Sequence, residues 1–190
     1  MRRERLRERP DVDYQVVRSN DRWADHRERL LVTAGMIAWL RPETILDPAC
    51  GDGSVLAAAY ALAPFRLATL SDISVPGIAS LHLAFPYQAS VRPIEEALVG
   101  SSPVELVVLT EILEHLDDPD AVLRLARERA RHLVASSPLD ERTQNNPEHL
   151  WAWDTEGYSA MLEAAGWRIT SSVILDWPGG YYRFQIVTAA

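Results

Sequence analysis

The sequence predicts an α/β fold: a mostly parallel sheet of seven strands, helices on both faces, and an antiparallel hairpin at the C-terminal end. Three observations predict it. Short apolar runs alternate with helical ones from about residue 44 to residue 136, the pattern of βα units over a parallel sheet. The run Val104–Leu109 is almost wholly apolar, as a central strand covered on both faces must be. Near the end, Pro178-Gly179-Gly180 separates two strand-like runs and suits a tight antiparallel turn.

Taken in order, Leu30, Ala34, Ile37 and Ala38, flanked by Leu31 and Leu40, mark an amphipathic helix from about Asp25 to Leu40, which Pro42 stops. Thr44–Leu46 reads as the first strand of the sheet. A helix over Ser54–Ala63 follows, ended by Pro64. Arg66–Ser71 is the next strand, closed by Asp72; then come a helix over Pro76–Leu83 and a weak strand at Tyr87–Val91. After the central strand, Asp118-Pro119 reads as an N-cap with proline in the first turn, leading a helix over Ala121–Arg131. His132–Ser136 is a strand. Tyr158, Met161, Leu162 and Ala165 recur at helical spacing, and Gly166 supplies the stop. The last two strands are expected at about Trp167–Leu175 and Tyr181–Thr188.

With 190 residues, 47% of them hydrophobic, the chain can bury one core, so a single domain over residues 21–190 is expected. Residues 1–20 are read as a flexible, arginine-rich segment: Met1–Pro10 holds five arginines against two glutamates, the composition of a solvated terminus. All 19 basic residues are arginine, yet the net charge is −8, which argues against a long phosphate backbone as partner, so nucleic acid is not expected. No apolar run approaches the ~20 residues that cross a bilayer, and the N-terminus has no apolar signal core. One cysteine excludes an internal disulfide framework and fits a reducing compartment, so a cytoplasmic, membrane-free protein is expected. The sequence does not specify an oligomeric state.

The most informative stretch is Ile45-Leu46-Asp47-Pro48-Ala49-Cys50-Gly51-Asp52-Gly53-Ser54. A strand ends in an acid, passes two glycines one residue apart and enters a helix, so backbone can approach a ligand closely there. It is not a dinucleotide fingerprint, because the third glycine would fall at Leu56, and no Gly-Lys-Ser/Thr makes it a P-loop. Its free N–H groups and the helix start suit a carboxylate. A second acid, Asp72, ends the next strand 25 residues after Asp47, near the ~20 expected for a ribose-binding acid in a βαβ unit. Cys50 has no cationic neighbour in sequence to activate it and reads as a small buried residue.

This loop resembles the first motif of the class I S-adenosylmethionine-dependent methyltransferases, whose Rossmann-like fold has the seven-stranded architecture read above. The resemblance covers the chain from about Trp23 onward. It implies S-adenosylmethionine as cofactor, with Asp47 accepting from the ammonium, the loop at Ala49, Gly51 and Gly53 cradling the amino-acid end, Asp72 accepting from the ribose hydroxyls and Ile73 beside the adenine. That family often places an acid after the third strand to bind the adenine amino group. Gln88-Ala89-Ser90-Val91-Arg92-Pro93 has none, leaving Ser90 or a backbone group for that contact.

On the reaction side, Thr110-Glu111-Ile112-Leu113-Glu114-His115-Leu116 follows the central strand. It resembles the segment between cofactor and acceptor in many small-molecule methyltransferases, which makes Glu111 and His115 the candidate catalytic residues. An unperturbed imidazole suits deprotonation of an acceptor hydroxyl; the competing role for His115 is structural, satisfying buried backbone groups. The run also resembles two metal-dependent branches, quinone-biosynthesis O-methyltransferases and RNA 3′-terminal 2′-O-methyltransferases, in which two glutamates and a histidine hold a divalent cation. The RNA branch adds a later histidine before an aromatic stretch, and here His149 precedes Trp151-Ala152-Trp153-Asp154. The sequence alone assigns no metal ligands.

The polar stretch Ser136–Asp154 reads as a long functional loop, its tryptophans either a lid or an acceptor-stacking pair. Trp23 and His26 are placed to close the pocket from the other side. The expected activity is methyl transfer to a small-molecule acceptor. The alternatives are a metal-dependent enzyme like the RNA 3′-terminal 2′-O-methyltransferases, or an inactive interaction module on the same fold. DNA amino-methyltransferases are disfavoured because Thr110-Glu111-Ile112-Leu113 stands where they carry Asn/Asp-Pro-Pro-aromatic, and nicotinamide enzymes by the missing glycine.

Overall fold

The computed structural model describes residues 2–9, 24–141, 146–176 and 183–190. In chain order the elements are β1 (Arg3–Arg5), α1 (Ala24–Leu40), β2 (Thr44–Asp47), α2 (Ser54–Leu62), β3 (Leu67–Asp72), α3 (Val75–Ala79), β4 (Tyr87–Val91), α4 (Ile94–Gly100), β5 (Val104–Thr110), a single 3₁₀ turn (Leu113–His115), α5 (Pro119–Arg129), β6 (Ala130–Leu139), β7 (Trp151–Trp153), α6 (Thr155–Ala164), β8 (Ile169–Asp176) and β9 (Arg183–Ala189).

Seven strands form one sheet in the order β4-β3-β2-β5-β6-β9-β8. Pairs from β4 to β6 are parallel, while β9 runs antiparallel to both β6 and β8. The expected fold class and terminal hairpin are therefore present; the turn expected at Pro178-Gly179-Gly180 lies outside the described residues. Side chains alternate between the two faces of a strand, and the central strands show it residue by residue. Leu106 and Val108 join Ile45, Val134 and the buried faces of α1 and α2 in one core. Val107 and Leu109 join Leu46, Leu133 and Ala135 beneath α4, α5 and α6 in the other. Each fully buried aliphatic side chain contributes roughly 1.5–3 kcal/mol relative to exposure, so a register slip of one residue in β5 would exchange both cores.

Three stretches differ from the sequence reading. Residues 94–100 are helical, where no element was expected: Pro93 supplies the cap position and Glu95 and Glu96 the acidic first turn. The helix expected over Pro76–Leu83 is shorter, capped by the Ser74 hydroxyl accepting from Gly77 N–H and ending by Ala79. The stretch after Ser136 is not one long loop, since β6 continues to Leu139 and Trp151–Trp153 is a strand.

The partner of that strand is the N-terminal segment. Arg3–Arg5 pairs antiparallel with Trp151–Trp153, while Glu4 and Arg5 stay exposed to solvent. Charge and stacking explain it. The Arg3 guanidinium pairs with Asp120 and lies 4.7 Å from the Trp151 ring centre, and Arg5 and Arg9 both reach Asp117. The Arg2 backbone closes the end of the ribbon: its N–H donates to Asp154, its carbonyl accepts from Asp154 N–H, and Asp154 also caps α6.

A Cβ on Gly157 would sit 1.9 Å from the Arg2 carbonyl oxygen. Alanine is favoured over glycine inside a helix by up to about 1 kcal/mol, so Gly157→Ala should stabilise α6 taken alone. The expected outcome is the opposite: release of β1, read as faster proteolysis of the first ten residues. Unchanged protection of that segment would contradict the packing described.

Candidate active site

The strand order reverses beside β2, where β3 lies on one side and β5 on the other. In open parallel sheets that reversal leaves a crevice outside the carboxyl ends of the strands. The loops entering it are 48–53 after β2, 73–74 after β3 and 111–118 after β5.

Asp47 ends β2 and is buried, 3% exposed. Burial lifts its carboxyl from 3.8 to about 7, with a nearby Asp72 adding repulsion and a hydrogen bond from Ala49 N–H opposing both. The following loop turns on two left-handed glycines, Gly51 at φ 54° and Gly53 at φ 72°. They differ in surroundings. A Cβ on Gly53 would press on Leu83 at 2.9 Å, whereas one on Gly51 would point into open space. Cys50 is buried, and burial with the neighbouring carboxylates drives its thiol pKa up, so it is not an activated nucleophile.

Asp72, at the end of β3, ties the two loops together. Its Oδ2 accepts from Gly51 N–H and its Oδ1 from Ser74 N–H, each at 2.9 Å. A carboxylate has about four lone-pair sites, so it can still accept further donors. Beside it Ile73 and Val75 expose 42% and 57% of their surface. Asp47, Ala49, Gly51, Gly53, Asp72 and Ile73 thus share one end of the β2–β3 pair. Ser90 is in β4 opposite Ser71, two residues before the exposed Arg92, and no acid stands after β4 before Glu95.

Across the crevice, Glu111 leaves β5 at φ 54°, a left-handed conformation that a non-glycine residue adopts rarely. Its Oε1 accepts from the Ser136 hydroxyl at 2.8 Å and lies 3.9 Å from Nε of the buried Arg29. Glu114 turns inward instead. It is 1% exposed, its Oε2 accepts from the Ser137 hydroxyl, and Ser137 in turn accepts from the Trp153 indole. The other oxygen, Oε1, is buried with no hydrogen-bond partner among the described residues. Burial and the charge of Glu111 push the Glu114 pKa well above the usual carboxylate range.

His115 and His149 meet edge to face, ring centres 4.6 Å apart. One ligating atom from each of Glu114, His115 and His149 lies within 4.8 Å of the others. Glu111 is outside that cluster. His115 Nδ1 is 3.2 Å from the Glu148 carbonyl oxygen, His149 Nδ1 bonds the buried carboxyl of Glu141, and His149 Nε2 is 3.0 Å from the Asn146 amide nitrogen. Burial holds both members of the Glu141–His149 pair toward their neutral forms, raising Glu141 to about 8 and lowering His149 to about 4. Glu141 and Asn146 were not singled out from the sequence, since neither sits in a motif and only the fold brings them to His149.

Trp151 is tied down, its indole donating to the Leu116 carbonyl, and Trp153 is wholly buried. Both are structural in this state. His26 packs edge-on to Phe184 at 5.4 Å; Trp23 lies outside the described residues.

A family model described as "Methyltransferase domain" matches residues 17–172. No curated protein matches the sequence significantly. Among solved structures, 1,6-didemethyltoxoflavin-N1-methyltransferase of Burkholderia thailandensis, with bound 1,6-didemethyltoxoflavin and S-adenosylhomocysteine, superposes with a TM-score of 0.69 at 16% identity, over 89% of this chain and 79% of that one. Magnesium protoporphyrin IX methyltransferase from Synechocystis PCC 6803 with bound SAM gives 0.66 at 15%, over 86% and 80%. The methyltransferase domain of bacterial CtHen1 gives 0.66 at 15%, over 87% and 98%. At such identities these likenesses establish the fold.

Asp47 supplies a test of this electrostatic picture. The folded chain keeps a proton there that the unfolded chain loses above about pH 4, so this group lowers stability progressively as pH rises from about 4 to about 7, with no further loss above. Asp47→Asn should therefore gain stability relative to the parent across that window, measured by urea denaturation at each pH. A difference that stays flat from pH 4 to 8 would refute the burial assigned to this carboxyl.

Proposed function

The chain belongs to the methyltransferase-domain family, and from that premise we propose that it transfers the methyl group of S-adenosylmethionine to a nucleophile on a small-molecule acceptor. The observation that carries the cofactor assignment is the pairing of a buried acid, with no ion-pair partner among the described residues, and an open cradle. Asp47 stands at one side of a loop whose Gly51 leaves space where any other residue would put a Cβ.

The two fit the amino-acid end of the cofactor. Asp47 takes the ammonium, whose charge restores the carboxylate that burial alone disfavours, and the loop at Ala49, Gly51 and Gly53 lies along the remainder. Asp72 keeps its two backbone donors and accepts from the ribose hydroxyls with its remaining lone pairs. Ile73 and Val75 offer the exposed apolar surface that an adenine covers. Bound S-adenosylmethionine supplies a sulfonium methyl that an acceptor lone pair takes by in-line displacement. The chain's own contribution is orientation and exclusion of water. Glu111 and His115 lie in the segment that follows β5 at the crevice edge, and in this reading His115 takes the acceptor's proton.

Added S-adenosylmethionine or S-adenosylhomocysteine should raise the melting temperature, and NAD should not. Silence from all three would favour an inactive interaction module. Gly51→Ala should keep the fold, at a backbone cost of about 1–2 kcal/mol, yet lose most cofactor affinity in calorimetry. Normal affinity in that variant would remove the cradle from the site.

One observation supports a second reading, that Glu114, His115 and His149 hold a divalent cation. The buried Oε1 of Glu114 lacks a hydrogen-bond partner among the described residues, and two imidazoles reach the same corner. A mixed nitrogen–oxygen set suits Mn²⁺ or a similar metal. Such a cation would orient an acceptor hydroxyl and ease its deprotonation as a Lewis acid. This reading takes up the resemblance to the RNA 3′-terminal 2′-O-methyltransferases, with a terminal ribose as acceptor in place of a free small molecule. Mn²⁺ should bind the parent and bind the Glu114→Gln variant at least tenfold more weakly. Equal binding by the two would dismiss it.

A further inference from the structure

Glu141 belongs to no motif, yet it is 2% exposed and bonds directly to His149. The hydrogen bonds around His149 determine where its proton sits. Glu148 N–H donates to Asn146 Oδ1 at 2.9 Å, which fixes the orientation of that amide. The Asn146 –NH₂ group must then be the one facing His149 Nε2, and an amide –NH₂ can only donate. His149 Nε2 is therefore an acceptor, and a neutral imidazole whose Nε2 accepts carries its hydrogen on Nδ1. That hydrogen points at the Glu141 carboxyl. The same logic applies to His115, whose Nδ1 faces a backbone carbonyl that can only accept.

From this geometry we propose that Glu141 is a positioning residue that locks His149 in the Nδ1–H tautomer and so presents its Nε2 electron pair to the corner shared with Glu114 and His115. The proposal deepens the cation reading given above and rests on it for its purpose. A ligating histidine commonly donates its other N–H to a carboxylate or carbonyl, which sets ring orientation and raises basicity. Here both kinds of partner are built in, a carboxyl for His149 and a carbonyl for His115. The Asn146 amide nitrogen lies 3.0 Å from His149 Nε2, so a cation ligated by that nitrogen would displace this hydrogen bond.

The test has two readouts. In the metal-free full chain, imidazole nitrogen NMR should show Nδ1 protonated and Nε2 unprotonated for both histidines. Glu141→Ala should shift His149, and not His115, toward the opposite tautomer, while Glu141→Gln, which keeps an acceptor oxygen, should restore the parental pattern. Mn²⁺ titration followed by the spin-resonance signal of the free ion should show about 10–100-fold weaker binding for Glu141→Ala, with Glu141→Gln in between. A parental His149 protonated on Nε2 would overturn the proposal, as would Glu141→Ala that leaves both tautomer and Mn²⁺ affinity unchanged. Failure of the parent to bind Mn²⁺ would contradict the cation reading alone; the nitrogen spectra would still decide the role of Glu141.

Discussion

All strands from β2 to β6 point the same way, and the chain reverses its direction of travel across the sheet at β2. That reversal is the constraint on which the candidate site depends. Parallel strands end on one edge of the sheet, so every loop that follows a strand is delivered to that edge. Because β3 and β5 flank β2, the glycine loop, the Asp72 turn and the Glu111–His115 segment become neighbours although they span some seventy residues of sequence. The two cores fix the arrangement from below: β5 cannot slip without turning Leu106 and Val108 into the cluster now filled by Val107 and Leu109.

Around the crevice, the same fold buries acids without giving them opposite charges. Asp47 and Glu114 make no ion pair among the described residues, and burial is the first cause of the raised pKa of each. A buried carboxyl of this kind is held protonated or waits for a cation. We read the two as complementary to two different positive groups, the ammonium of a cofactor on the β2 side and a metal ion on the β5 side. The N-terminal segment packs against the chain on the β5 side. Its Leu6 N–H donates to the Leu150 carbonyl, the Leu150 N–H donates to the Glu114 backbone carbonyl, and Arg9 reaches the His115 carbonyl. The segment bearing the two histidines is thus held from outside by a strand that lies at the opposite end of the sequence.

What could be read from the sequence follows from where the forces act. Helices α1 and α6 were legible because burial on one face writes a helical period into the residues themselves, and β5 because burial on both faces leaves an unbroken apolar run. Asp118 before Pro119 marked the start of α5, and its side chain does cap Ala121 N–H. The Asp47–Gly53 loop was legible for a related reason: close backbone approach demands glycine, and glycine is visible. Strand β1 was not. Arg3-Glu4-Arg5 has no apolar alternation, and its conformation comes from pairing with Trp-Ala-Trp and from arginine partners over a hundred residues away. Helix α4 escaped notice because its seven residues are too few to display a period. Glu141 and Asn146 were invisible as site residues because a hydrogen-bond relay leaves no spacing rule in the chain.

We propose that one loop and two strand-ending acids grip a single sulfonium nucleoside. A crystal structure of the chain with S-adenosylhomocysteine tests it most directly. The amino-acid end should lie against Gly51 and Asp47, the ribose hydroxyls on Asp72 and the adenine over Ile73. A nucleoside bound elsewhere, or a crevice that stays filled by the protein's own side chains at saturating ligand, would contradict it.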